Sequence, residues 1–492
     1  MKSSTELKTD RAMISSRLHP LWILFSIILS IKEIILPALF FFIFQADSTA
    51  SWTIIGKWGV LVFFIYRMVS IIFEWWNFSY SFSEKELQIV DGKFVKHKRF
   101  IPLERIQNVQ SNTHYFQRIF GLTSITLDTS ATSSDSSVKL ALIKQAEADK
   151  IKDYLTLKAR DVQSGENMVS EVKNEKESKR KVHYKITKKE IITSTFTSFS
   201  LLALFPLLVG LFFKINEIIS IDSYAEDFLN YLQKEWVWMI VTGLILILLS
   251  MCFGMMMTYI RYGNYLVTTE EDRIIIQKGV LNQTELTVLK DRVQAVKYNK
   301  SFIRRWFGIV EVELVCAGAF GDETIESNVL FPFISERKAL ELLPEILPNF
   351  TIVETMKKLP RAALWLKLFR PSYFWIIVTA ILLFFWPDKW YLSPCLLTVI
   401  LFLRSQNFTH GRHGLDQSYI QLNSGVFSVE KFVTSRKKIE QLSITESWIQ
   451  RRVGLCTFQI VTKGTPVHHV AISDIPREEA EKYYKWYAER EF

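Results

Sequence analysis

Nine basic residues stand in four clusters and are the positions best suited to chemistry: Lys96, Lys98 and Arg99; Arg304 and Arg305; Lys437 and Lys438; Arg451 and Arg452. Cations grouped in this way bind anions, and near an anionic leaflet each is worth about 1 kcal/mol. The competing reading is a solvated face plus topogenic charge. Arg118, Arg305 and Arg451 carry a further alternative, because each follows an aromatic residue (Tyr115, Phe302, Trp448) and could close a turn over its ring. Catalysis would require a nucleophile or an acid–base pair beside an activating group. No GxSxG, HExxH, P-loop or strand–helix GxGxxG occurs, so no enzyme and no cofactor is expected. His410 and His413 fall in what reads as a polar membrane-edge linker, while His468 and His469 are neighbours in a strand pattern and point to opposite faces. No metal site is expected from either pair. The four cysteines, Cys252, Cys316, Cys395 and Cys456, show no CxxC spacing and read as small buried hydrophobes without a disulfide framework.

Three charges lie inside apolar runs: Lys32, Glu33 and Arg67. An ionisable residue in lipid is a functional hypothesis by default. Adjacent helical residues do not face each other, so the plainer reading is a kinked first helix whose charges face other helices.

The elements that must position these residues are mostly membrane helices. A span needs about 20 predominantly apolar residues. Six segments approach that: Leu21–Phe44, Trp52–Phe73, Ile191–Phe213, Trp236–Thr258, Tyr373–Trp386 and Trp390–Leu403. The last two are short, and Pro387-Asp388 reads as the turn of a hairpin. The first run exceeds a signal-peptide core and lacks a small-x-small cleavage site, so it is expected to be retained. Lys and Arg crowd the arm before the first span and the segments before the third and fifth, whereas the connection after the third span is acidic. By the positive-inside rule the N-terminus and all three large polar segments are cytoplasmic, at the cell membrane. This bias also accounts for the net charge of +10. No nucleic-acid motif accompanies it, and no nucleic-acid partner is expected.

The polar segments are repeats. Units starting near Tyr80, Tyr265 and His413 align on paired glycines, Gly92 and Gly121, Gly279 and Gly308, Gly425 and Gly454, with 29 residues between the members of each pair. Arg118, Arg305 and Arg451 each precede the second glycine by three. In the second unit, Arg273–Lys278 and Val310–Val315 read as strands, the latter a clean apolar–polar alternation. Each unit closes with a helix pattern: Glu147–Leu157, Glu336–Leu347, and Pro476–Tyr487 with Asp474 as its expected cap. Ser133–Ser137 reads as a loop tip and residues 163–181 as a charged linker.

The turn glycine in Gln277-Lys-Gly-Val, the segment Ile101-Pro-Leu-Glu-Arg-Ile-Gln-Asn-Val and the aromatic–arginine–glycine unit Phe302-Ile-Arg-Arg-Trp-Phe-Gly together resemble the bacterial pleckstrin-homology-like domain family, the bPH2 or DUF304 type. The third unit departs most, with Ser435-Arg-Lys-Lys-Ile-Glu in place of the proline-bearing segment. The resemblance implies a membrane α + β protein. Its three transmembrane hairpins, six helices in all, would each precede a PH-like barrel or sandwich capped by a C-terminal helix.

The expected boundaries begin with an arm (1–20), a hairpin (21–76), a domain (77–160) and a charged linker (161–190). A second hairpin (191–258), domain (259–350) and basic linker (351–371) follow, then a third hairpin (372–404) and domain (405–492). The expected function is a non-enzymatic scaffold in the lipid bilayer that binds a protein partner or anionic lipid head groups. The resemblance adds a smaller single-domain relative as partner, and envelope stress or tolerance of antimicrobial peptides as the setting. The alternative is a transporter or exporter component acting through the six helices.

Overall fold

In each repeat a short strand pairs with a strand that lies beyond a long intervening segment, so that segment is inserted into the first sheet of its own repeat. The computed structural model describes residues 14–46, 48, 50–83, 85–93, 95–129, 137–163, 180–197, 210, 236–316, 328–348, 350, 356–463 and 467–489. It divides into two compact units, Met1–Lys176 and Glu177–Phe492. The expected loop tip (except Ser137), residues 164–179 of the linker, most of the third span and the acidic connection after it lie outside the described residues.

In the first unit, β1 (Ile14–Ser16) leads into α1 (Leu21–Leu39) and α2 (Ser51–Asn77). Pro37 has no N–H to extend the helical ladder, and α1 ends in a π turn, Phe40–Phe44. Strands β2 (Ser79–Phe82), β3 (Glu86–Asp91) and β4 (His97–Pro102) then complete an antiparallel sheet with β1. Next come β5 (Ile106–Thr113), a short helix α3 (Tyr115–Ile119), β6 (Leu122–Thr129), β7 (Ser137–Lys144) and the closing helix α4 (Gln145–Gln163). Strands β5, β6 and β7 pair antiparallel. Alternate residues of β2 and β3 point inward, and Tyr80, Phe82, Leu87 and Ile89 meet Ile125, Leu127, Leu140 and the α4 residues Ala148 and Ile151 in one core. Each fully buried Leu, Ile or Phe of this core stabilises the fold by about 1.5–3 kcal/mol.

The second unit repeats the order twice. The second repeat has β8 (Lys181–Lys185), α5 (Lys188–Thr197), α6 (Trp236–Tyr262), β9 (Leu266–Glu270), β10 (Arg273–Lys278), β11 (Gln283–Leu289), β12 (Val293–Ser301), α7 (Phe302–Trp306), β13 (Ile309–Cys316), β14 (Val329–Ser335) and α8 (Glu336–Ile346). The third has β15 (Lys357–Lys358), α9 (Arg361–Phe369), α10 (Tyr373–Phe385), α11 (Leu392–His410), β16 (Arg412–Leu415), β17 (Tyr419–Gly425), β18 (Ser428–Ser435), β19 (Ile439–Thr445), α12 (Trp448–Val453), β20 (Leu455–Thr462), β21 (His468–Pro476) and α13 (Arg477–Ala488). The pairs β1–β2, β8–β9 and β15–β16 are the strands that bracket the hairpins. Parts of the arm and of both linkers in the sequence reading are therefore domain structure. Helix α9, in the expected basic linker, buries Ala363 in the core of the third repeat.

The two repeats of this unit are joined by a sheet. Strand β12 pairs antiparallel with β18 from Ala295↔Thr434 to Ser301↔Ser428. The result is one seven-stranded sheet in the order β14-β13-β12-β18-β17-β16-β15. Of the expected barrel or sandwich, β-sheet domains are present, and no barrel closure is shown among the described residues. On one face of the joint Ala295, Val315 and Phe432 form a small buried cluster.

Four of the described helices are long and apolar enough to cross a membrane, where the sequence reading expected six spans: Leu21–Phe44, Ser51–Asn77, Leu244–Tyr262 and Arg361–Phe385. The last of these bends at Arg370–Ser372, between α9 and α10. Helix α11, the expected sixth span, turns back through Pro387–Lys389 as anticipated, but Arg404, Gln406, Asn407 and His410 make its final turns polar.

Candidate functional site

The short helix between the fifth and sixth strands recurs in all three repeats with the same fastening. It ends at a second-position glycine in the left-handed region, with φ of 63° at Gly121, 62° at Gly308 and 70° at Gly454. The carbonyl of that glycine accepts a hydrogen bond from the first N–H of the closing helix: from Gln145 at 3.0 Å, Glu336 at 3.2 Å and Arg477 at 3.0 Å. Three residues before each of those donors stand Leu142, Phe333 and Asp474. Each holds the segment that leads into its hairpin. The Leu142 carbonyl accepts from His19 N–H at 3.0 Å, the Phe333 carbonyl from the Tyr184 hydroxyl at 3.3 Å, and the Asp474 carboxylate lies 3.7 Å from the Arg370 guanidinium.

The first-position glycines turn at this same end, against the helices that leave the hairpins. The Asn77 side chain donates to the Lys93 carbonyl at 2.8 Å, the Gly279 N–H to the Gly263 carbonyl at 2.8 Å, and the Asn423 side chain to the His410 carbonyl at 2.9 Å. Short helix, first turn and the helix that runs into the first sheet therefore share one end of every repeat.

That end is apolar and exposed. Phe116, Ile119 and Phe120 are 64%, 62% and 57% accessible in the first repeat, Trp306 and Phe307 80% and 54% in the second, and Trp448 and Ile449 68% and 52% in the third. The tips of the first turns add Val95, Leu281 and Phe427, also exposed. Large exposed apolar groups at one recurring position mark an interaction surface.

The basic residues singled out by the sequence divide sharply against this frame. Arg118 lies over Tyr115 with 5.8 Å to the ring centre, and Arg305 over Phe302 with 5.5 Å. In the third repeat the following arginine does this: Arg452 covers Trp448 at 4.2 Å, while Arg451 reaches Glu446 at 3.6 Å. Arg304 faces inward, ion-paired with Glu311 and stacked on Phe333; it is a structural residue. Its counterparts Gln117 and Gln450 are buried too and accept from the backbone N–H groups of His114 and Ser447 at 3.1 and 2.9 Å, closing capping boxes. Lys96 and Lys98 are exposed beside the first turn, and Arg99 pairs with Asp91. Lys437 and Lys438 lie elsewhere, in the turn at the opposite end of β18. Lys438 donates to the Asp291 carbonyl there, and burial pulls its ammonium below the ordinary range.

Asp474, expected as a helix cap, makes no such bond. It is buried, at φ 68°, and accepts from the Gln450 side chain at 2.8 Å. Within the first hairpin the Arg67 guanidinium lies 3.7 Å from the Glu33 carboxylate, while Lys32 is exposed on the outer face of α1.

The cations were legible in the sequence as candidates; the apolar residues around them were not singled out. The signal was present: Phe116 and Ile119, Trp306 and Phe307, Trp448 and Ile449 flank the recurring arginines at positions a soluble domain would fill with polar side chains.

The pattern of the family described as Bacterial PH domain matches the chain three times, at residues 29–159, 206–349 and 361–491. The chain belongs to the bacterial PH domain family. Each matched stretch takes in apolar helix as well as strands. The UPF0699 transmembrane protein YdbT of Bacillus subtilis (strain 168) is 27% identical over 490 residues, covering 96% of this chain and 98% of that protein. No solved structure matches significantly.

Proposed function

We propose that this bacterial PH domain protein is a non-enzymatic membrane scaffold whose domains rest on the cytoplasmic leaflet by their aromatic short helices. One observation carries the reading: in all three repeats the exposed aromatic helix is fastened to the end of the domain that receives the membrane helices. Aromatic residues with a stacked arginine suit the boundary between head groups and acyl chains. The Lys and Arg bias of the flanking segments supports a cytoplasmic position for the domains.

The surface left for a partner is the opposite, polar side, and the continuous sheet across β12 and β18 makes repeats 2 and 3 a rigid platform. The partner that fits is a smaller membrane protein with one unit of the same kind, acting in envelope stress or tolerance of antimicrobial peptides. Transport is the weaker reading, because Glu33 and Arg67, two of its three charged supports, lie within 3.7 Å of each other as an ion pair.

Native mass spectrometry of the full chain, extracted gently with its own lipids, tests the scaffold. A reproducible smaller polypeptide carrying one hairpin is the expected result. A bare chain would sink the partner reading and favour transport.

A further inference from the structure

The joint between repeats 2 and 3 has a second face, opposite Phe432, which carries core residues (Val296, Tyr298, Val433) and, beside them, a cationic cleft. One ladder row crosses four strands there: Tyr298 pairs with Lys431, Lys431 with Asn423, and Asn423 with Arg412. Side chains two apart on a strand share a face, so Lys300 stands beside Tyr298. These residues and Glu336 line a cleft of about 220 Å³. Three cations meet one carboxylate. Glu336 is ion-paired with Lys300 and lies 4.0 Å from the Lys431 ammonium. The Tyr298 hydroxyl is buried and has no hydrogen-bond partner among the described residues. A buried hydroxyl left unmatched is costly, and a cleft with surplus positive charge beside it suits an anion. The cleft also sits at the membrane end of the domain, since Asn423 holds the last carbonyl of α11.

We propose that this cleft binds a phosphate-type anion, supplied by a lipid head group or by a free phosphate. Lys431 and Arg412 give the charge, Asn423 and the Tyr298 hydroxyl donate hydrogen bonds, and Glu336 holds Lys300 in place. Burial draws the Lys431 ammonium below its ordinary range, against the pull of Glu336; an arriving anion stabilises the charged form. None of Lys300, Arg412 or Lys431 belongs to a basic cluster of the sequence, because they come together only when β12 meets β18. The proposal does not depend on the scaffold reading, whose partner can fail to appear while the cleft still binds.

The test is native mass spectrometry of the full chain in detergent, titrated separately with inorganic phosphate and with phosphatidylglycerol, using phosphatidylcholine as control. The wild type is expected to take one saturable phosphate-type adduct, weakened at least tenfold in Lys431→Met/Arg412→Gln and unchanged in Lys437→Gln. An adduct with phosphatidylglycerol alone assigns the site to a head group, and one with inorganic phosphate alone to a soluble ligand. Should the double variant fail to fold, Tyr298→Phe removes only the hydroxyl and is expected to weaken the adduct about threefold. The absence of an adduct in the wild type overturns the proposal. So does equal binding by the cleft variants, or an equal loss in Lys437→Gln.

Discussion

Repeats 2 and 3 place the same short helix on the same backbone and support it by different chemistry. Beneath α7 the support is an ion pair, Arg304 with Glu311, stacked on Phe333. Beneath α12 it is a neutral amide, Gln450, bonded to Thr457 at 3.0 Å and to the buried Asp474 at 2.8 Å. The outward faces agree where the supports differ: Phe302, Trp306 and Phe307 in one, Trp448, Ile449 and Val453 in the other, all exposed. The polar support is interchangeable, and what recurs is an apolar tip held at the membrane end.

The largest way to break this comparison is to remove what makes the two repeats one body. Phe432 is 1% exposed in the joint, and Phe432→Ala is expected to cost about 3–5 kcal/mol. Differential scanning calorimetry in detergent should then separate one transition into two. Next in size is the contrast between the supports. Arg304→Met leaves the Glu311 carboxylate unpaired in a site where both side chains are only 14% exposed, a loss of about 3 kcal/mol. Gln450→Met should cost about 1–2 kcal/mol, because it strips a hydrogen bond from Asp474. Equal losses in thermal unfolding would mean that the two supports are not distinct.

Acid sharpens the comparison further, because the third repeat buries His413 against Tyr483. Burial pushes the His413 imidazole down to about 4, with Glu479 opposing. Between that value and the ordinary one near 6.5, the unfolded chain binds the extra proton, so stability is lost as pH falls through this window and is constant below it. The loss reaches about 2 kcal/mol at pH 5, and His413→Gln should flatten the melting temperature between pH 7 and 5. The smallest effect is shared. A Cβ at Gly308 or Gly454 meets nothing within 4 Å, so alanine costs only the left-handed backbone, about 1 kcal/mol in each repeat. Chemical denaturation of the two variants should give matching shifts.

Much of this was legible in the sequence. The glycine spacing reported the repeats, because both turns need φ values that side chains resist. The strands around Gly279 and Gly308 and the three closing helices announced themselves by local period. What the sequence did not announce is non-local. Strands β1, β8 and β15 are two to five residues long and exist because a partner waits beyond a hairpin. The β12–β18 joint links residues far apart in the chain, so no local pattern signals it, and the cleft above it was equally hidden. Arg304 read as a surface cation because the sequence does not show that Glu311, on the next strand, faces the same pocket. Lys437 and Lys438 looked equivalent to the other basic clusters until β18 placed them at its far end.

The central claim is that the aromatic helices lie in the bilayer interface, and a depth measurement tests it most directly. Nitroxide labels at Trp306→Cys and Lys437→Cys, with Cys252 and Cys395 replaced by serine, would be compared in the full chain reconstituted into lipid. The account predicts that the label at 306 is accessible to oxygen and shielded from a water-soluble nickel chelate, and that the label at 437 shows the reverse. Equal exposure of both labels to the nickel chelate would contradict it.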